Sequence, residues 1–135
     1  MRKLALIAAA AVLLAGAGSA LALTGSSKAP TDYASCLKKA GTTAAMEACI
    51  NAEVKRLSGQ LATAYKTLSG TAGVNRAALA AAESRWVAYR AADCKFAGTL
   101  NAGGSLQSID VGTCTVDQTS ARLAELRVYE KQAKH

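Results

Sequence analysis

The sequence has little proline and almost no histidine, and each scarcity excludes a class of structure or chemistry. Its one proline, Pro30, precedes a long stretch that lacks the residue most disruptive to helices. Its one histidine, His135, is the last residue, and no C-x-x-C pair occurs, so no metal site is expected. Runs typical of extended strands are absent as well. The remaining composition is rich in Ala, Leu, Lys, Arg, Glu and Gln, which predicts an all-α protein.

The N-terminal 22 residues are typical of a secretory signal peptide. Met1-Arg2-Lys3 supplies positive charge, an apolar run extends from Leu4 to about Gly18, and Ala20-Leu21-Ala22 fits a cleavage site. The run is richer in Ala and Gly than a membrane span, and no cysteine stands near the cleavage site to carry a lipid. We therefore expect cleavage near Ala22, a flexible lead-in over 23–31, and one secreted or periplasmic helical domain over 32–135.

Four cysteines, Cys36, Cys49, Cys94 and Cys114, lie beyond this leader. An even number of cysteines in a small exported domain predicts two disulfides. We favour Cys36 with Cys49 and Cys94 with Cys114, because this pairing needs only that neighbouring helices fold back on each other. The two crossed pairings stay open at this point. In the chain-entropy model each sequential bridge would stabilise the domain by about 3 kcal/mol.

Capping residues and apolar spacing predict a small bundle of one short helix and three main helices. The short helix runs from about Asp32 to Lys39, and a long helix capped by Thr42 or Thr43 continues to about Ser69. A third helix is predicted over roughly 75–96 and a fourth over roughly 115–132. The glycine-containing stretch 98–112 between them is predicted to be a loop, because consecutive glycines weaken helical order.

The apolar stripe of the third helix is predicted to be the centre of the core. It contains Leu79, Ala82, Trp86, Tyr89 and Phe96, with Trp86 as the large anchor. Tyr65, like Tyr89, is expected in the core with its hydroxyl at the edge. On the fourth helix the residues expected to point inward are Val116, Thr119, Leu123, Leu126 and Tyr129.

Two arginines, Arg90 and Arg122, are expected to have structural roles. Each would reach a carboxylate, such as Glu53 or Asp93, or the last carbonyls of a neighbouring helix. Catalysis is not expected, because the only histidine is terminal and Ser105 has no visible base. The carboxylates stand mostly at helical spacings typical of a solvated surface, and no glycosidase-like pair is recognisable. No cofactor is implied.

A combination of motifs resembles a known family. The combination is the four-cysteine frame with Glu53, Leu61 followed by Tyr65, Trp86 followed by Arg90 and Cys94, Gly103-Gly104-Ser105, and Thr119 with Arg122 and Leu126. Over nearly the whole mature chain it resembles the bacterial LprI-type lysozyme inhibitor family. The chain departs from the family pattern at Ser58 and Ala62, where an Asp and an Asn are common, and it lacks the lipid-bearing cysteine of the prototype. The resemblance implies an exported, all-helical, disulfide-bonded domain and inhibition of lysozyme.

The charge of the chain bears on its partner. Without Arg2 and Lys3 the formal net charge falls from +7 to +5, which favours anionic partners. Nucleic acid is not expected for an exported protein without an aromatic and basic stacking pattern. Anionic cell-wall polymers or lipid headgroups fit better. The same charge opposes a lysozyme partner, because animal lysozymes are basic, unless the chain presents a local acidic patch.

Two hypotheses of function follow. The first is an exported, non-catalytic binding protein, a lysozyme inhibitor whose loop between Cys94 and Cys114 enters or covers the lysozyme cleft. The residues assigned to partner binding are Lys95, Asn101, Gly103, Gly104, Ser105, Gln107 and Ser108. Lys95 would pair with the carboxylates of lysozyme. The Gly103-Gly104 pair fits a tight turn as well as it fits a recognition tip. The alternative is an envelope-associated structural module that binds anionic cell-wall or membrane components through basic helical faces.

Overall fold

The computed structural model of the protein describes residues 31–135, and the expected signal peptide and the lead-in up to residue 30 lie outside the described residues. Four helices follow one another: α1 is Thr31–Lys39, α2 is Thr43–Gly70, α3 is Arg76–Thr99 and α4 is Gln107–Gln132. Residues 31–135 contain no strand, and the prediction of a short helix followed by three main helices is confirmed. No helix in this part of the chain is long and apolar enough to cross a bilayer.

The first residues of α2 and α3 follow the capping signals in the sequence. Thr42 Oγ1 accepts a hydrogen bond from the backbone N–H of Ala45 at 3.2 Å, and Asn75 Oδ1 accepts one from the N–H of Ala78 at 3.0 Å. Each side chain satisfies a donor that the helix itself leaves unpaired. The turn between the two helices passes through Gly73, whose φ of +81° favours glycine.

Both disulfides of the favoured pairing are present. Cys36–Cys49 joins α1 to α2, and Cys94–Cys114 joins α3 to α4, so none of the described cysteines is free. The sequential pairing is therefore confirmed. Cys94 and Cys114 lie within their helices, so this bridge ties two helices together one turn or more away from the loop that connects them.

Helix α4 is the centre of the bundle. It packs against α2 on one side and α3 on the other, whereas α2 and α3 contact each other little and α1 packs on α2. Core residues come mainly from α2 and α4: Ile50, Leu57, Leu61 and Leu68 from the first, and Val116, Leu123 and Leu126 from the second. The inward positions predicted for α4 are confirmed except for Tyr129, whose side chain is 40% exposed.

The predicted glycine loop over 98–112 is wrong at both ends. Helix α3 continues to Thr99 and α4 begins at Gln107, which leaves only residues 100–106 as the connection. A Cβ added at Gly98 would lie 2.5 Å from Val111 Cγ2, and one added at Gly112 would lie 2.6 Å from Ile50 Cγ2. These two glycines allow α4 to approach α3 and α2 closely, because at each contact only one helix contributes a side chain, Val111 or Ile50.

The face that α3 turns inward also differs from the prediction. Tyr89 and Phe96 are 60% and 63% exposed, and Ala82 is exposed as well. The inward positions are 79, 83, 86, 90, 94 and 97, which include a glutamate and an arginine. Trp86 is half-buried and packs against the core, as Tyr65 does. The prediction failed because it treated polar residues on α3 as outward-facing.

A pair of glycine substitutions tests the close approach of α4. Gly112→Ala should lower the free energy of unfolding by about 1–2 kcal/mol, since the added methyl meets the branched Ile50 side chain and overpacking outweighs the gain in helix propensity. Gly59→Ala is the control, because Gly59 is exposed within α2 with no atom near its Cβ. It should raise the same quantity by about 0.5–1 kcal/mol. Urea unfolding measures both, and equal stabilisation by the two changes would contradict the packing.

A second comparison tests the face of α3. Trp86→Ala should lower the free energy of unfolding by about 3 kcal/mol, at the low end for a large aromatic because its ring is only half-buried. Tyr89→Ala, three residues along on the outward face, should change it by less than about 0.5 kcal/mol. Urea unfolding of the two variants decides between the faces. A large loss of unfolding free energy in Tyr89→Ala would mean that Tyr89 is part of the core and that the assigned face of α3 is wrong.

Candidate functional site

The connection between α3 and α4, residues 100–106, is a loop held in shape by its own hydrogen bonds. The N–H of Gly104 donates to the carbonyl of Asn101 at 2.9 Å, and Gly103 adopts a φ of +75° that favours glycine. The side chain of Asn101 donates to Asp110 Oδ2 at 2.6 Å, and the N–H of Gly103 donates to Gln107 Oε1 at 3.0 Å. Gly103 is thus required by a tight turn.

A groove of about 780 Å³ runs beside this loop, between the first half of α2 and the start of α4. Four of the residues predicted to bind a partner line it: Gly104, Ser105, Gln107 and Ser108. The α2 side supplies Thr43, Glu47, Ile50, Asn51 and Val54. The sequence analysis missed these α2 residues, although their spacing of 43, 47, 50, 51 and 54 is that of one helical face. Ser108 links the two walls, since its hydroxyl donates to Glu47 Oε1.

The remaining predicted residues lie outside the groove. Lys95 is exposed on α3, and Asn101 and Gly103 are exposed in the loop without lining the groove. Asn101, Gln107 and Ser108 already engage other residues of the chain through their side chains. Within residues 31–135, the side chains of Lys95 and Ser105 make no hydrogen bond or ion pair, so these two are open to a partner.

The groove is locally acidic within a basic chain. The two segments that build it, 40–54 and 96–121, contain no lysine or arginine, and their charged residues are Glu47, Glu53, Asp110 and Asp117. Glu53 is buried and pairs with Arg56 at 2.6 Å, so it adds little to the surface potential. Glu47 lines the groove and Asp110 supports the loop. Burial raises the pKa of Asp117. The net positive charge of the chain therefore does not describe this surface.

The two arginines predicted to be structural meet at Trp86. The Arg90 guanidinium lies 4.6 Å from the centre of the Trp86 ring, and its Nη1 donates to Thr119 Oγ1 at 2.8 Å. The expected pairing of Arg90 with Glu53 or Asp93 is wrong, because Glu53 pairs with Arg56 and Asp93 accepts a hydrogen bond from Gln118. A hydroxyl and an aromatic face replace the carboxylate.

Arg122 is nearly fully buried and pairs with two carboxylates. Its Nε lies 3.0 Å from Glu83 Oε2 on α3, and its Nη1 lies 2.6 Å from Glu125 Oε2 on α4. Burial alone would raise the pKa of Glu125, but hydrogen bonds from Arg122 and Tyr129 outweigh it and the pKa is lowered. The ion pair with Glu83 crosses from α4 to α3, so Arg122 fixes how the two helices sit against each other.

The described side chains offer no constellation for metal chemistry. Across residues 31–135, no three His, Cys, Asp or Glu side chains come together in a way that could hold a metal ion. What the groove and loop do offer is a rigid, partly acidic surface with a few hydrogen-bonding groups. Such a surface is suited to binding another molecule.

Comparison with known proteins gives one match. The model of a family described as lysozyme inhibitor LprI matches residues 35–126, more than half of the chain, and this span includes all four cysteines, the loop and the groove. No curated protein and no solved structure matched the chain.

Proposed function

We propose, because this chain belongs to the lysozyme inhibitor LprI family, that it is an exported, non-catalytic protein that binds and inhibits lysozyme. Binding would use the loop 100–106 together with the acidic groove between α2 and α4. Inhibition would be steric: the loop enters or covers the cleft of the enzyme, and no covalent step is needed. Export is supported by the two disulfides, which persist in oxidising compartments, and by the signal-peptide pattern over 1–22.

The observation that carries the proposal is the sign of the charge around the groove. Animal lysozymes are basic, and a uniformly basic partner would slow their encounter. Charges are screened over about 8 Å at physiological ionic strength, so the groups nearest the contact outweigh the net charge. The carboxylates among those groups are Glu47 and Asp110, in segments free of lysine and arginine, and Lys95 is the one cation assigned to the contact. The groove is thus the local acidic patch that a lysozyme partner requires.

The rigidity of the loop supports the same proposal. Its ends are fixed by helices that the Cys94–Cys114 bridge ties together, and its shape is fixed by the hydrogen bonds of Asn101 and Gly103. A loop ordered before binding loses less conformational entropy on association. Lys95 and Ser105, which have no partner within the described residues, would supply the direct contacts. Lys95 would pair with the carboxylates in the lysozyme cleft.

The first test removes the acidic charges while keeping their hydrogen bonds. In Glu47→Gln with Asp110→Asn, an amide oxygen can still accept from Ser108 and Asn101, so the loop should keep its shape. We expect the association rate with lysozyme to fall at least fivefold at low salt, and the difference from the parent to shrink as ionic strength rises. Stopped-flow or surface-based kinetics measures this rate.

The matched control neutralises two carboxylates away from the groove. Asp32→Asn with Glu130→Gln removes the same charge from α1 and from the end of α4. It should leave the association rate within twofold of the parent. If the control slows association as much as the groove variant does, the net charge rather than the groove sets the rate, and the proposed binding surface is wrong.

The second test replaces the loop alone. Exchanging residues 101–105 for a five-residue Gly-Ser linker spares Gln107 and Ser108, which belong to α4. The variant should retain helical content and both disulfides yet lose at least tenfold in inhibition of lysozyme turnover, about 1.4 kcal/mol of binding. Unchanged inhibition would place the contact in the groove or on the helices. Absence of inhibition by the parent would overturn the proposed function.

A further inference from the structure

Helix α3 carries an exposed apolar stripe whose Tyr89 end borders α4. Tyr89, Phe96 and Leu100 are 60%, 63% and 73% exposed, and the positions 85, 89, 92, 96 and 100 recur at the spacing of one helical face. The stripe runs from the middle of α3 to its C-terminal end, a length of about 16 Å from Tyr89 to Leu100 at 1.5 Å per residue. Large apolar side chains grouped this way on a small protein mark an interaction surface.

Glu125 of α4 lines a pocket with Tyr89, but its carboxylate is paired with Arg122. The exposed charges of α3 itself around the stripe are all positive. Arg85 lies within it, and Lys95 lies at its border beside Phe96. The two acidic residues of α3 are turned away: Glu83 pairs with Arg122, and Asp93 accepts a hydrogen bond from Gln118. The exposed charged residues of α3 are therefore Arg76, Arg85 and Lys95. An aromatic stripe bordered by cations is the pattern of helices that lie in the interface of a bilayer.

A second copy of the chain is a poorer occupant. In a two-fold symmetric contact the same surface meets itself, so Arg85 of each copy would face the basic stripe of the other. Like charges at close range disfavour such a contact. An anionic phospholipid surface supplies the opposite charge, while Tyr89 and Phe96 insert among the headgroups and Lys95 extends its amine towards phosphate.

We propose that α3 docks the protein on anionic phospholipid bilayers through this stripe, lying on the surface without spanning it. The proposal does not depend on lysozyme inhibition, although Lys95 and Leu100 belong to both surfaces. No residue of α3 lines the acidic groove, so docking through the stripe leaves the groove uncovered. Docking would concentrate an exported inhibitor at the membrane surface, where the groove still faces solvent.

Vesicle sedimentation tests the proposal with the protein recovered from the compartment to which it is exported, its N terminus defined by mass spectrometry. The probes are vesicles of phosphatidylcholine alone and of phosphatidylcholine mixed with phosphatidylglycerol. The parent should bind the mixed vesicles at least tenfold more strongly, and the binding should weaken as ionic strength rises. Equal binding to both, or none to the mixed vesicles, would overturn the proposal.

Two variants and their controls locate the surface. Tyr89→Ser with Phe96→Ser should lower partitioning into mixed vesicles at least tenfold, whereas Val87→Ser with Val128→Ser, two exposed valines outside the stripe, should change it less than twofold. Arg85→Glu should lower this partitioning at least threefold. Its control, Lys66→Glu at an exposed position of α2, should lower it less than twofold. Because Arg85 is not assigned to lysozyme binding, Arg85→Glu should leave inhibition unchanged.

A folding check and two further outcomes complete the test of bilayer docking. Circular dichroism checks that each variant keeps the helical content of the parent, as expected for substitutions at exposed positions. If the parent is a dimer in solution and the double serine change makes it monomeric, the stripe is an interface between copies and the proposal is wrong. The proposal also fails if the controls lose vesicle binding as strongly as the stripe variants do.

Discussion

The close approach of α4 to both of its neighbours is the constraint on which the rest of the structure depends. Gly112 meets the Ile50 side chain of α2, and Gly98 of α3 meets the Val111 side chain, so at each contact only one of the two helices contributes a side chain. The Cys94–Cys114 bridge then fixes α3 along α4, and Arg122 adds an ion pair across the same contact. The shapes of the groove and the loop depend on this contact, because both lie next to the first residues of α4. Without it, α3 would have little else to pack on.

Much of the local structure could be read from the sequence. The cap at Thr42, the disulfide pairing and the inward stripe of α4 depend on near neighbours in the chain, where spacing and residue type carry strong signals. The face of α3 could not be read in this way. Its inward side holds Glu83 and Arg90, whose partners, Arg122 and Thr119, lie on α4. A charged residue is buried only when its partner is in place, and that partner is invisible to a pattern confined to one helix.

The loop predicted over 98–112 was too long for a related reason. Residue type alone does not distinguish a glycine that bends the backbone from one that admits a neighbouring helix. Gly103 is of the first kind, with its positive φ, whereas Gly98 and Gly112 are of the second. The candidate site was affected in the same way: its loop wall was anticipated, but the α2 wall with Glu47 and Asn51 comes from a segment some sixty residues away. Net charge likewise hid the acidic groove, because it averages over surfaces that a partner meets one at a time.

The two disulfides differ in how exposed their cysteines are. Cys94 is 2% exposed and Cys114 is half-buried, whereas Cys36 is exposed on α1 although Cys49 is buried. Thiol–disulfide exchange requires a thiolate to reach a sulfur, so access limits its rate. A reductant added to the folded protein would therefore reduce the Cys36–Cys49 disulfide first and leave the bridge between α3 and α4 intact. Resistance of the protein to reduction is thus greatest where the loop and the groove are anchored, and least at a helix that neither of them uses.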